Sequence, residues 1–260
     1  MNSALTILTD IRKQFDNDAP LWLPDDRQVV TFNVRRDGLI DLRIYVSPDD
    51  EIFDEIQQLL SEPDIASALS GLIFEGPDEG ANGTREWNFR PLLETAAAFP
   101  ELRTLYIEPS APGDHNGSII GYCYDEEAQV AKLIARMPNL TDLTVPSAPQ
   151  YDIFQLSPRL ITHLRVDFGY DRLDFLANLA DTCGFPNLQV VDFGVAHPRS
   201  AENPDVIAPY EEYAQLFDAP SFSGVREVTL RNSGLNDDEL SRLLALRRDL
   251  QVTTIQVHAS

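Results

Sequence analysis

Seven short segments of the chain repeat one phase of apolar and polar positions, in which an apolar residue is followed by a second three places on and a third five places on. "LIDLRI" places Leu39, Leu42 and Ile44 in this phase; "LSGLIF" places Leu69, Leu72 and Phe74; "LRTLYI" places Leu102, Leu105 and Ile107. "LTDLTV" (Leu140, Leu143, Val145), "ITHLRV" (Ile161, Leu164, Val166), "LQVVDF" (Leu188, Val191, Phe193) and "VREVTL" (Val225, Val228, Leu230) continue it. Alternation at the fourth, fifth and sixth positions is the period of a strand with one buried face. Strands are therefore expected near Leu42, Leu72, Leu105, Leu143, Leu164, Val191 and Val228, with a last one near Ile255. Three of them share the lead-in "FPEL", "MPNL" or "FPNL", whose Pro100, Pro138 and Pro186 stop a preceding helix.

Between the strands the period changes. Val130, Leu133, Ile134 and Met137, and again Leu240, Leu243 and Leu244, fall on one helical face. Asn236 with Glu239 forms a capping-box pair, and further helices are expected over 52–60, 87–98, 171–182 and 210–217. A strand–turn–helix unit has an apolar face on each element and cannot close a core alone, so successive units must stack with their strands parallel. Residues 1–36 break the pattern. "ALTILTDIRKQF" carries Leu5, Leu8, Ile11 and Phe15 at helical spacing, and "RQVVTFNV" alternates as a strand. This segment is read as a cap on the open end of the array formed by 37–260, with Trp22 as a lid residue.

These segments, and "VREVTLRNSGLNDDELSRLLALRRDL" above all, resemble leucine-rich repeats of the long, ribonuclease-inhibitor-like kind. More narrowly, the order of segments is similar to that of a group of poorly characterised bacterial leucine-rich-repeat proteins with an N-terminal non-repeat cap. The resemblance implies an α/β leucine-rich-repeat solenoid, with a curved parallel sheet on the concave side and helices on the convex side. Its functional implication is a binding scaffold without a defined ligand. Ser233 stands where the family pattern has an asparagine, and the spacing varies from about 21 residues (Leu143 to Leu164) to about 38 (Leu105 to Leu143).

Charge changes the picture of partners. The 260 residues hold 42 acids against 20 lysines and arginines, a formal charge of -22, which repels phosphate backbones and anionic lipid headgroups. Nucleic acid and membrane are thus excluded as partners. Only Cys123 and Cys183 occur, without a leader pattern or a bilayer-length apolar run, so a cytoplasmic location is expected; the chain is expected to be a monomer. His115, His163, His197 and His258 show no metal-ligand spacing, and no phosphate loop or nucleophile elbow is present. No cofactor, metal or catalytic residue is assigned. The reading of a different class is an enzyme whose unrecognised site lies in the 109–124 insertion, around His115 and Cys123. The acidic "SPDDE" is read as a solvated helix start, and the two long insertions, 108–125 and 194–209, as loops.

The repeat also predicts a surface. Positions that alternate with the buried ones face away from the core, and they supply Arg43, Tyr45, Ile73, Glu75, Thr104, Tyr106, Glu108, Asp142, Thr144, His163, Arg165, Asp167, Asp192, Glu227 and Arg231. Acids outnumber bases there. The expected partner is another protein with a basic surface, anchored on Tyr45, Tyr106 and Ile73 and steered by carboxylates. A sharper form is an inhibitor or immunity protein that neutralises a bacterial toxin such as a nuclease.

Overall fold

A computed structural model describes residues 3–17, 19–78, 83–122, 125–157, 159–195 and 206–256. The chain opens with helix α1 (Ser3–Asn17), strands β1 (Val30–Val34) and β2 (Ile40–Tyr45), helices α2 (Glu51–Leu60) and α3 (Pro63–Ala66) and strand β3 (Leu69–Glu75). The middle holds β4 (Thr84–Trp87), α4 (Arg90–Leu93), β5 (Thr104–Ile107), β6 (Gly117–Ile120), α5 (Gln129–Ala135), β7 (Asp142–Val145) and β8 (His163–Asp167). It finishes with α6 (Phe175–Asp181), β9 (Val190–Gly194), α7 (Tyr210–Asp218), β10 (Glu227–Arg231), α8 (Asp237–Leu246) and β11 (Gln251–Ile255). No described helix is long and apolar enough to cross a membrane.

The result is a mixed α/β fold in which helices and strands alternate. Nine strands form one sheet in the order β1-β2-β3-β5-β7-β8-β9-β10-β11, and all its pairings are parallel except β1 with β2. The fourth position of each repeated segment pairs with the fourth position of the next: Leu42, Leu72, Leu105, Leu143, Leu164, Val191 and Val228 lie in one row. Every residue of that row is buried, as is the sixth-position row from Ile44 to Leu230. Each large apolar side chain withdrawn from water in this way stabilises the fold by about 1.5–3 kcal/mol. Leu133 and Ile134 of α5, Leu176 and Leu179 of α6, and Leu216 and Phe217 of α7 belong to the same core.

Local chemistry sets the ends of the elements. The Asp50 carboxylate accepts from the Ile52 amide and starts α2, as expected of "SPDDE". Asn236 and Glu239 close a complete capping box on α8. Gly194 ends β9 at φ 125°, where a Cβ would lie 2.1 Å from the Arg231 carbonyl oxygen, so only glycine permits β10 to pair there.

Three expectations are corrected. Trp87 does not begin a helix over 87–98: it ends β4, and only Arg90–Leu93 is helical. The cause is packing, because the fully buried indole sits 5.4 Å from the Phe53 ring and 6.0 Å from Phe74, and donates to the Ser118 hydroxyl at 3.0 Å. The first insertion is not wholly loop, since Gly117–Ile120 pairs in parallel with β4 as a two-stranded annex. Helix α6 starts at Phe175 rather than 171, because Leu173 and Asp174 take left-handed φ values of 46° and 53°. Residues 196–205 of the second insertion lie outside the described residues.

Candidate functional site

Side chains alternate across a strand, so the rows between the buried ones form the opposite face of the sheet. One such row runs Asp41, Gly71, Thr104, Asp142, His163, Val190, Glu227, and the next runs Arg43, Ile73, Tyr106, Thr144, Arg165, Asp192, Thr229. The predicted surface residues on strands thus come together in ordered rows. Arg43 and His163 have half their side chains in water (50% and 52%), while Tyr45, Ile73, Thr104, Tyr106 and Thr144 are partly exposed. Asp167 is the exception among the carboxylates. It is 3% exposed, at a strand end where its carboxylate accepts from the Gly169 amide.

Four of the acids on this face, Asp41, Glu75, Asp142 and Asp192, carry cationic partners. Asp192 takes a bidentate grip on Arg231, at 2.6 and 2.7 Å, and lies 3.7 Å from Arg165. Hydrogen bonding to Asp192 raises the Arg231 pKa above its ordinary value. Glu75 meets Arg43 at 3.3 Å and Arg27 at 3.7 Å; Asp142 meets His163 Nδ1 at 3.2 Å; Asp41 meets Arg35 at 3.7 Å. Strands about 4.8 Å apart bring opposite charges on neighbouring strands within reach, so the face is a mosaic of paired charges rather than a field of carboxylates. Glu108 accepts from the Gly76 amide at 3.0 Å and lies 3.5 Å from Arg85; burial nevertheless pushes its pKa up, as it does for the Tyr106 hydroxyl.

At one corner the face meets a cleft. Trp22 donates its indole N–H to Asp50 at 2.6 Å and packs 6.4 Å from the Tyr45 ring, which carries the Arg27 guanidinium at 5.1 Å. Asp50 belongs to a cleft of about 420 Å³ whose walls come from the turn after β2, the strand β4 and the segment after β6. Asp49, Asp50, Glu51, Asp54, Glu86 and Glu126 line it, and the arginine in its lining, Arg90, is engaged by Glu127 at 2.5 Å. Burial, then the charges of Asp49 and Glu126, raise the Glu86 pKa. A cluster held this way lowers the free energy of a cation entering it.

The annex and cleft were missed from sequence. Their signal was the four-residue alternation "TREW", whose buried positions are Arg85 and Trp87. A charged residue at an inward position hides a strand from a hydrophobicity pattern. Arg85 is 3% exposed; its terminal guanidinium nitrogens donate to the Gly76 carbonyl at 3.1 Å and to Asp114 at 2.7 Å, while its buried Nε has no hydrogen-bond partner among the described residues.

Of the two residues that mark the 109–124 insertion as an alternative catalytic site, His115 is held by Asp78 at 2.8 Å and Cys123 lies outside the described residues, as do His197 and His258. Among the described residues no three His, Cys, Asp or Glu side chains converge to hold a metal ion. No protein-family model matches the chain, and no curated protein matches it.

Proposed function

We propose that the chain is a leucine-rich-repeat-like solenoid that acts without catalysis, binding a basic protein through its open sheet face and the acidic cleft at the corner of that face. In this reading α1 and β1 cap the first repeat. The in-register rows of fourth- and sixth-position residues support the repeat, and the rows between them support a platform on which side chains are spaced regularly. The cleft carries the preference for a cationic partner. Its lining carries six carboxylates against one arginine, Arg90, whereas the carboxylates on the sheet are largely neutralised in place.

The division of labour differs from a uniform acidic surface. Tyr106 and Ile73, in the middle of the exposed rows, are apolar anchors; the paired charges around them set register; a lysine or arginine of the partner enters the cleft. Neutralisation of a bacterial toxin such as a nuclease is one role that such a surface serves.

The test is capture from native lysate with the parent protein, with Glu86→Gln/Glu126→Gln and with Tyr106→Ala, followed by titration of the captured protein across a salt series. The expected partner is basic, the cleft variant binds it more slowly and with a shallower salt dependence, and Tyr106→Ala speeds its release. A partner bound equally by all three proteins, or one of acidic composition, would overturn the reading.

A further inference from the structure

The two edges of the large sheet are treated differently. At the first, α1 packs beside β1, burying Ala4, Leu8 and Phe15. At the other, β11 pairs with β10 alone among the described residues. The ladder runs from the Gln251 amide to the Arg226 carbonyl and from the Asn232 amide to the Ile255 carbonyl. In a parallel pair such bonds alternate, so Val252 and Thr254 direct their N–H and C=O groups away from β10. The strand "QVTTI" has no charge and no proline, the two devices that most often blunt an exposed edge.

The helix beside it is matched to this edge. Of α8, only Leu243 is buried; Leu240 is partly covered, and Leu244 is 38% exposed. Asp237, Leu240 and Leu244 fall on one helical stripe, and Arg248 lies just past its far end. Asp249 engages Arg226 and Arg247, and Asp237 and Arg248 remain exposed. Charge is also distributed unevenly: between 225 and 256 five arginines balance five carboxylates, in a chain whose formal charge is -22. Two copies repel each other wherever the surplus acids meet, and this end is free of that surplus.

We infer that this end of the sheet is a self-association surface, and that its occupant is a second copy of the same chain. A two-fold axis lying in the end face, across the strands, sets β11 antiparallel to its counterpart and α8 antiparallel to its counterpart in one operation. Val252 and Thr254 then find backbone partners, Leu240 and Leu244 meet their equivalents, and Asp237 at one end of each helix meets Arg248 of the other copy. The contact is isologous and closes at two copies. It replaces the expected monomer and leaves the acidic cleft and the sheet face open.

Sedimentation of the full chain over about 1–100 µM, the range in which a ~µM dimer titrates, reads the outcome. A concentration-dependent dimer is expected. Thr254→Pro removes an edge N–H without touching the ladder to β10 and is expected to weaken the dimer at least about tenfold. Asp237→Lys and Arg248→Glu each weaken it, and the two together restore it, a rescue that misfolding does not produce. A chain monomeric throughout, a dimer indifferent to Thr254→Pro, or assembly that continues beyond two copies would overturn the inference.

Discussion

Replacing Asp125 with asparagine tests whether an internal carboxyl couples stability to pH. Asp125 is fully buried, at φ 50°, and its two oxygens accept from the Val130 and Gln150 amides, each at 3.1 Å. Burial pushes its pKa from an ordinary 3.8 up to about 7; the backbone donors oppose the rise, and Asp152 adds to it. A folded-state pKa above the unfolded one means that the folded chain holds the proton more tightly. The contribution to stability is complete below about pH 4 and is lost as pH rises to about 7. Across that interval the loss is on the order of 4 kcal/mol, at about 1.4 kcal/mol for each unit of pKa. Asparagine does not ionise. It also places an amide N–H against one of the two backbone donors, a cost that does not vary with pH. Urea denaturation of both proteins through the interval gives the difference in their stabilities, from which the general repulsion of a -22 chain cancels. The difference is expected to grow in favour of Asp125→Asn as pH rises. Two stability curves that run parallel from about pH 4 to about pH 7 would refute the argument.

Leu143→Ala is expected to cost about 3 kcal/mol in chemical denaturation, whereas Thr144→Ala, one residue away on the opposite face, stays within about 0.5 kcal/mol; equal losses would reverse the assignment of faces. Arg85→Leu takes the buried guanidinium away from the partly buried Glu108 and Asp114, each of which keeps a backbone donor, and is expected to cost about 3 kcal/mol. Adding Glu108→Gln should return part of it, and strictly additive losses in a double-mutant cycle would deny the coupling. Asn236→Ala removes the cap of α8 for about 1 kcal/mol, read as a lower melting temperature with unchanged far-ultraviolet dichroism at low temperature.

Much of the main sheet was legible in the chain because its signal is local. Leu143 and Val145 flank Thr144, and the preference of each for oil or water is decided within three residues; repeated seven times, that alternation defines the strands, their phase and their buried rows. The Asn236–Glu239 box and the Asp50 cap are equally local, each spanning a few residues. The stitch next to Ser233 was less visible: Asn232, buried in a left-handed turn, donates its amide to the Val195 carbonyl at 2.7 Å, a partner 37 residues away.

Tertiary structure decided the electrostatics. Composition announces a surplus of acids but not that Asp192 lies opposite Arg231, 39 residues away, or that Glu75 meets both Arg27 and Arg43. Trp87 and Arg85 became strand residues because Phe53, Phe74, Ser118 and Asp114 arrive around them from other elements. The cleft gathers carboxylates from three separate stretches of chain, and Asp125 owes its raised pKa to burial that no neighbour in sequence provides. An alternation of oil and water is a property of successive residues, whereas a charge interaction depends on distance and on the medium between the groups. Both of those come into existence only when the strands have been laid side by side.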